Sequence, residues 1–245
     1  MPHCFLAIIM TREDFGLESL ARYLHLTPPQ VARLADRGKI PGRKVSGQWR
    51  FSRDEIHHWL EQRVGLDEDD GLPQVDRVLR ASAPGTPEQE ISIADLLPPQ
   101  QIAVPLAART RKSVFSAMVG LLAETGLLWD PEKMEEAIRA REDLYPTALD
   151  NGVALLHPRR PMPAILAQPL LGLGVSGSGV PFSGNRGAMT DVFFLICSTD
   201  DRGHLRTLAR LSKVLSVPAF LEELRQAPSA DAVHQLIVAT EAQLP

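Results

Sequence analysis

The sequence predicts an α/β domain and, ahead of it, a small helix-turn-helix unit. Two continuous apolar runs point to the first. "GVALL" from Gly152 and "DVFFLICS" from Asp191 read as buried central strands. Amphipathic helices alternate with these runs, which is the α/β pattern. The second rests on a compact basic segment that ends where composition changes sharply, near residue 66.

Composition allows both parts a core. Of 245 residues, 44% are hydrophobic and 23% charged, so the chain is not globally disordered. Aromatics make up only 5%, which argues against a protein built on aromatic stacking. The net charge of -4 gives no overall sign of nucleic-acid binding, so any such signal must be local. Cys4 and Cys197 lie far apart with no CxxC, which excludes a zinc or disulfide framework by spacing and suits a reducing cytoplasm. The opening "MPHCFLAIIMTRED" lacks the basic residues and cleavage pattern of a signal peptide. No apolar stretch approaches ~20 residues, so no membrane span is expected. His3 and Cys4 read as a frayed terminus rather than a metal site.

In the first segment, "LESLARYLHL" sets Leu17, Leu20, Ala21 and Leu24 at helical spacing. Thr27 followed by Pro28 is a helix start. In "PPQVARLADRG", Val31, Leu34 and Ala35 share one face, and Gln30, Arg33 and Arg37 lie mostly on the other before Gly38 stops the helix. "KIPGRKVSGQWRF" reads as two short arms around Ser46-Gly47, a hairpin or wing. Ser52 and Glu55 then form a capping box for a helix that buries Ile56, Trp59 and Leu60. Between Pro28 and Arg53 the basic residues are Arg33, Arg37, Lys39, Arg43, Lys44, Arg50 and Arg53, against Asp36 alone, a local charge of +6. Such a patch on a helix and hairpin suits a phosphate backbone.

This segment resembles the winged helix-turn-helix of the MerR-like and excisionase-type families, above all in "RGKIPGRKVSGQWRF…WL". The resemblance covers about forty residues. It implies that the helix at 28–37 enters the major groove and that the wing touches the backbone or minor groove. Gln30, Arg33 and Arg37 would then meet bases or phosphates, and Arg43, Lys44 and Arg50 would be the wing contacts. One such unit has a small footprint, so a homodimer or tandem binding is expected. The domain is expected over 1–66, with a linker over 67–90 marked by an acidic and then Pro-, Gly- and Ser-rich composition. "QVDRVLR" inside the linker could form one short helix.

The remaining domain, 91–245, opens with a short strand and then a helix whose apolar face is Val114, Met118, Leu121 and Leu122. "DPEKMEEAIRAREDL" is a helix capped by Asp130, with Pro131 at its first position. "DDRGHLRTLARLSKVLS" sets Leu205, Leu208, Leu211 and Leu215 in register, and two further helices follow, the second from near Ser229. "GLGVSG" at 172–177 matches GxGxxG, but proline and more glycine follow where a helix should start. It reads as a flexible loop and not a dinucleotide site. Ser176 and Ser178 lack a nucleophile-elbow context. His57, His58 and His234 read as surface residues of amphipathic helices, and His25 as structural.

His157 stands apart. "AREDLYPTALDNGVALLHPR" resembles the active-site segment of phosphotransferase-system enzyme IIA domains of the fructose-mannitol type, including their nitrogen-regulatory branch. Arg141-Glu142, Thr147, Gly152 and His157 occupy the places of the family's arginine-glutamate pair, threonine turn, glycine and phosphorylated histidine. "DDRGHLRTLARLSKVL" resembles the second histidine segment and places His204 near the first. The resemblance spans about residues 91–243. It implies a mixed sheet flanked by helices, His157 as phosphoryl acceptor, and His204 and Arg141 as stabilisers. It also implies a phosphocarrier donor of HPr type and no cofactor beyond the covalent phosphate. The residue types suit that chemistry. A neutral imidazole accepts a phosphoryl group near pH 7, and an arginine fork donates to its oxygens. In one respect the pattern departs: the family has proline directly before its histidine, where this chain has Leu156, with Pro158 following. The resulting expectation is a cytoplasmic bacterial regulator; a phosphocarrier in sugar uptake and a non-phosphorylated binding or sensor module are the alternatives.

Overall fold

The protein is described by a computed structural model covering residues 14–24, 26–53, 55, 56, 59, 60, 91–144, 146–182 and 189–244. It divides into two units, residues 1–88 and 89–245. The expected linker with its helix, the His3-Cys4 pair, His25 and His57-His58 lie outside the described residues.

In the first unit, strand β1 (Asp14–Gly16) leads into helix α1 (Leu17–Tyr23), then helix α2 (Pro28–Asp36). Strands β2 (Arg43–Val45) and β3 (Gln48–Ser52) form the expected hairpin. Its two-residue turn has positive φ at Ser46 and Gly47, the geometry that matches strand twist. Strand β1 pairs with β3 and completes a sheet of order β1-β3-β2. The sequence reading did not foresee β1, because three residues carry no periodicity. Residues 53, 55, 56, 59 and 60 are helical. Leu20, Leu24, Val31, Ile40, Phe51, Ile56 and Leu60 form the buried interior. The Trp59 indole donates to the Lys39 carbonyl at 2.7 Å, which ties that helix to the turn after α2.

The second unit begins with a short helix α3 (Ile93–Leu96), which the sequence reading did not separate from the strand that follows, β4 (Ile102–Ala103). Helices α4 (Arg111–Ala123) and α5 (Pro131–Leu144) precede β5 (Val153–Leu156), β6 (Leu170–Pro181) and β7 (Met189–Cys197). Helices α6 (Asp201–Leu215), α7 (Phe220–Gln226) and α8 (Ala230–Glu241) end the chain's described fold. The buried face of α4 is Val114, Phe115, Met118, Val119 and Leu122, with Leu121 only half-buried. The sheet is mixed, in order β4-β6-β7-β5, with β4 parallel to β6, β6 antiparallel to β7, and β5 parallel to β7.

Three expectations need correction here. The "GLGVSG" stretch is no loop: it lies within β6. Its glycines are a packing device. A Cβ on Gly172 would sit 3.2 Å from Leu122, and one on Gly174 would sit 2.7 Å from the Met118 sulfur and 2.8 Å from Leu106. Hydrogen at these positions lets α4 lie close on the sheet. "GVALL" is an edge strand rather than a central one. It stays buried because residues 147–149 run along its outer side, where Leu155 N donates to Thr147 O and Leu149 N to Val153 O. His234 is also half-buried rather than a surface residue, its Nδ1 3.0 Å from the Leu97 carbonyl.

Glu241, on α8, joins three helices. Its carboxylate accepts from Ser92 Oγ at 2.9 Å, Ala94 N at 2.9 Å and Arg210 Nε at 2.8 Å. Burial alone pushes this carboxyl up. Hydrogen bonds from Ala94, Arg210, Ile93 and Ser92 outweigh it and hold the carboxyl below its usual range. A pKa lowered by folding contributes stability that is complete above the unfolded value of about 4.3. That contribution is lost as pH falls through the depressed native value. Glu241→Gln should therefore destabilise the chain by about 1–3 kcal/mol at pH 7. In denaturant melts the gap between the two proteins should close under acid; a gap independent of pH would assign Glu241 no such role.

Candidate functional site

Parallel pairing of β5 with β7 builds the site. Leu156 lies opposite Leu195, so the residues just past both strands emerge at one end of the sheet. His157 follows β5, Ser198 follows β7, and α6 starts at Asp201. The Asp200 carboxylate caps α6 by accepting from Gly203 N at 2.8 Å, which fixes its first turn and with it His204. Two histidines distant in sequence thus meet with ring centroids 5.0 Å apart. Both are buried, at 3% and 5% exposure.

Each ring is oriented by a neighbour. His157 Nδ1 lies 2.8 Å from the Leu155 carbonyl oxygen. A carbonyl only accepts, so Nδ1 carries the proton. In the neutral ring the lone pair is then on Nε2, which makes Nε2 the nucleophilic nitrogen. The segment beyond His157 is also held, because Met162 N donates to the Ser198 carbonyl at 3.0 Å. Leu156 replaces the proline of the resembled pattern without disturbing the strand: its side chain is fully buried in the core.

Arg141 and Glu142 are buried in the last turn of α5. The Glu142 carboxylate accepts from Thr147 N at 2.9 Å and from Thr147 Oγ1 at 2.7 Å. Thr147 in turn hydrogen-bonds Leu155, two residues before the histidine. This relay ties the Arg141 end of α5 to the strand that delivers His157. Gly152 makes the turn into β5 at φ +84, and a Cβ there would sit 2.8 Å from Arg225 and 3.0 Å from Asp191. Those two form a double ion pair at 2.8 and 2.9 Å, while Arg225 also donates to the Asn151 carbonyl. Thr147, Gly152 and His157, matched by resemblance, thus fall on one continuous piece of structure. Ser198, whose hydroxyl is 3.2 Å from His204 Nδ1, was missed. A serine six residues before a histidine carries no spacing signal.

In the first unit Arg33 and Arg37 are exposed on and just after α2. Gln30 has its amide oxygen committed to the helix start, accepting from Thr27 N at 2.8 Å and Thr27 Oγ1 at 2.9 Å. Arg43 pairs with Asp14 at 2.9 Å and Lys44 with Asp36 at 3.1 Å. Lys44 also lies over the Trp49 ring, 4.9 Å from its centroid. Arg50 is half-buried and donates to Gln48 at 3.2 Å. The cations of helix and hairpin therefore belong to one unit, but those of the hairpin already hold intramolecular partners.

Among the described residues no group of three or more histidine, cysteine, aspartate or glutamate side chains could hold a metal ion, and no helix is long and apolar enough to cross a membrane. Burial pushes the Cys197 thiol up, away from reactivity.

Comparison with known proteins gives two family matches. Residues 95–239 match the model for the phosphoenolpyruvate-dependent sugar phosphotransferase system, EIIA 2. Residues 15–64 match a helix-turn-helix domain. The fructose-specific EIIABC component of the phosphotransferase system from Bacillus subtilis is 29% identical over 149 residues, 60% of this chain, which spans only 23% of that protein. A nitrogen regulatory protein of Pseudomonas aeruginosa is 27% identical over 60% of this chain and 96% of its own length. The crystal structure of the nitrogen regulatory protein IIA-Ntr from Neisseria meningitidis superposes with a TM-score of 0.52 at 25% identity, covering 59% of this chain and 98% of that one.

Proposed function

Because the chain belongs to the EIIA 2 family of the phosphoenolpyruvate-dependent sugar phosphotransferase system, we propose that it is a cytoplasmic bacterial regulator that accepts a phosphoryl group on His157 and binds DNA through its helix-turn-helix unit. The observation that carries the first half is the fixed tautomer of His157, with Nδ1 at 2.8 Å from a carbonyl and the second histidine ring 5.0 Å away. In the transfer, the Nε2 lone pair attacks phosphorus on a phosphohistidine donor of HPr type. The donor's N–P bond breaks and its nitrogen keeps the electron pair. The proton on His157 Nδ1 stays on that nitrogen, hydrogen-bonded to the Leu155 carbonyl, so no base is needed. His204 and Arg141 would donate to the phosphoryl oxygens. No cofactor enters beyond the covalent phosphate.

The second half rests on the +6 segment between Pro28 and Arg53. A homodimer would supply two recognition helices for a two-fold site. A phosphate adds close to two negative charges at His157. Its effect on DNA affinity is expected within the ~1–3 kcal/mol typical of coupling between sites. The test is to incubate the full-length chain with a phosphorylated HPr-type carrier, score acid-labile phosphate on the chain, and titrate duplex DNA before and after. No acid-labile phosphate would leave a non-phosphorylated binding module. Phosphate without DNA binding would favour a phosphocarrier.

A further inference from the structure

We propose that Ser198 is a positioning residue that holds His204 in the Nε2–H tautomer, so that the second histidine can donate a hydrogen bond to a phosphoryl group on His157 while uncharged. The proposal deepens the phosphoryl-acceptor reading and rests on it. Ser198 Oγ is 3.2 Å from His204 Nδ1, and both residues are buried at 5% exposure. A hydroxyl can donate to an imidazole nitrogen or accept from it. The surroundings decide between the two. Among the described residues Ser198 Oγ has no other hydrogen-bond partner. If it accepted a proton from Nδ1, its own O–H would be buried with no acceptor, which is costly. Donation to Nδ1 satisfies both groups, and the ring proton of neutral His204 must then sit on Nε2.

The two histidines thereby have opposite roles at the same atom. The Leu155 carbonyl at 2.8 Å keeps the proton on His157 Nδ1 and leaves its Nε2 a lone pair. Ser198 keeps a lone pair on His204 Nδ1 and leaves its Nε2 a proton. One ring can take the phosphoryl group, and the other can steady it, without either being protonated first. The backbone supports this arrangement: the Ser198 carbonyl accepts from Met162 N at 3.0 Å, and Asp200 caps the helix that carries His204. Without the serine hydroxyl the Nδ1–H tautomer of His204 becomes accessible as well, and in that tautomer the neutral ring has no proton on Nε2 to donate.

The test uses the unphosphorylated full-length chain with 15N-labelled histidine. Long-range 1H–15N spectra read each ring's tautomer, and a His204→Gln variant identifies the His204 signals. The wild type should show His204 protonated on Nε2. Ser198→Ala should shift it toward the Nδ1–H form, and Ser198→Thr, which keeps the hydroxyl, should restore the wild-type pattern. A second readout is the rate of phosphoryl acceptance at one pH. Ser198→Ala should lose roughly tenfold, and Ser198→Thr should recover most of that loss. A wild-type His204 protonated on Nδ1, or a folded Ser198→Ala protein with the wild-type tautomer and rate, would overturn the proposal. A chain with the expected spectra that accepts no phosphate would instead remove the acceptor reading. It would end the donor role with it and leave Ser198 a purely structural partner.

Discussion

Replacing His157 by alanine should abolish phosphoryl acceptance while leaving the second unit folded. The ring follows β5 rather than lying in it, and its Nδ1 hydrogen-bonds the Leu155 carbonyl. Losing that bond and a small buried ring should cost about 1–3 kcal/mol, within what an ordinary domain tolerates. The strand itself is held independently, by four residue pairs with β7 and by the Thr147 and Leu149 contacts on its other side. Acid-labile labelling of the variant should therefore fall to background while its thermal unfolding stays cooperative. His204→Ala should slow acceptance but leave the acid-labile phosphate detectable, because His204 donates to the group and does not carry it. Background labelling in a folded His204→Ala protein, with undiminished labelling in His157→Ala, would reverse the two roles.

DNA binding by the full chain should weaken steeply with salt. If about six cations meet phosphate, log K falls with a slope near -5 against log salt, or on the order of a thousandfold between 50 and 200 mM. The contributions should be unequal. Arg33 and Arg37 are exposed and form no ion pair with the described residues, so removing either should reduce the slope by about one. Arg43 and Lys44 must first leave Asp14 and Asp36, so their alanine variants should change it less. A flat salt response would point to a protein-binding adaptor in place of a DNA reader.

Much of the molecule was legible in local sequence. Helices α2 and α6 declare themselves by apolar spacing, and α2 and α5 also by proline at the first helical position. The hairpin is written in Ser46-Gly47, whose φ values of 50 and 79 few other residue pairs adopt. The apolar runs from Gly152 and from Asp191 fall in strands, Val153–Leu156 and Met189–Cys197. These features depend on covalent neighbours within a turn or two, and such preferences act before any tertiary contact forms. The site residues were legible in a different sense. His157, His204 and Arg141 came from the resemblance of two segments, and spacing alone would not have joined them.

The tertiary structure decided what depends on partners far along the chain. Nothing local says that Gly172 and Gly174 belong to a strand; their purpose is visible only once Leu122, Met118 and Leu106 are packed against them. Nothing local puts β5 at the edge of the sheet, or gives residues 147–149 the task of covering it. The meeting of His157 with His204 follows from the parallel register of β5 and β7, and Ser198 becomes a partner of His204 only because β7 ends there. A sequence specifies its short-range hydrogen bonds and turns through the few dihedral angles they involve. Register and cross-sheet contacts are chosen by the whole core's packing, in which residues distant in the chain compete for the same space.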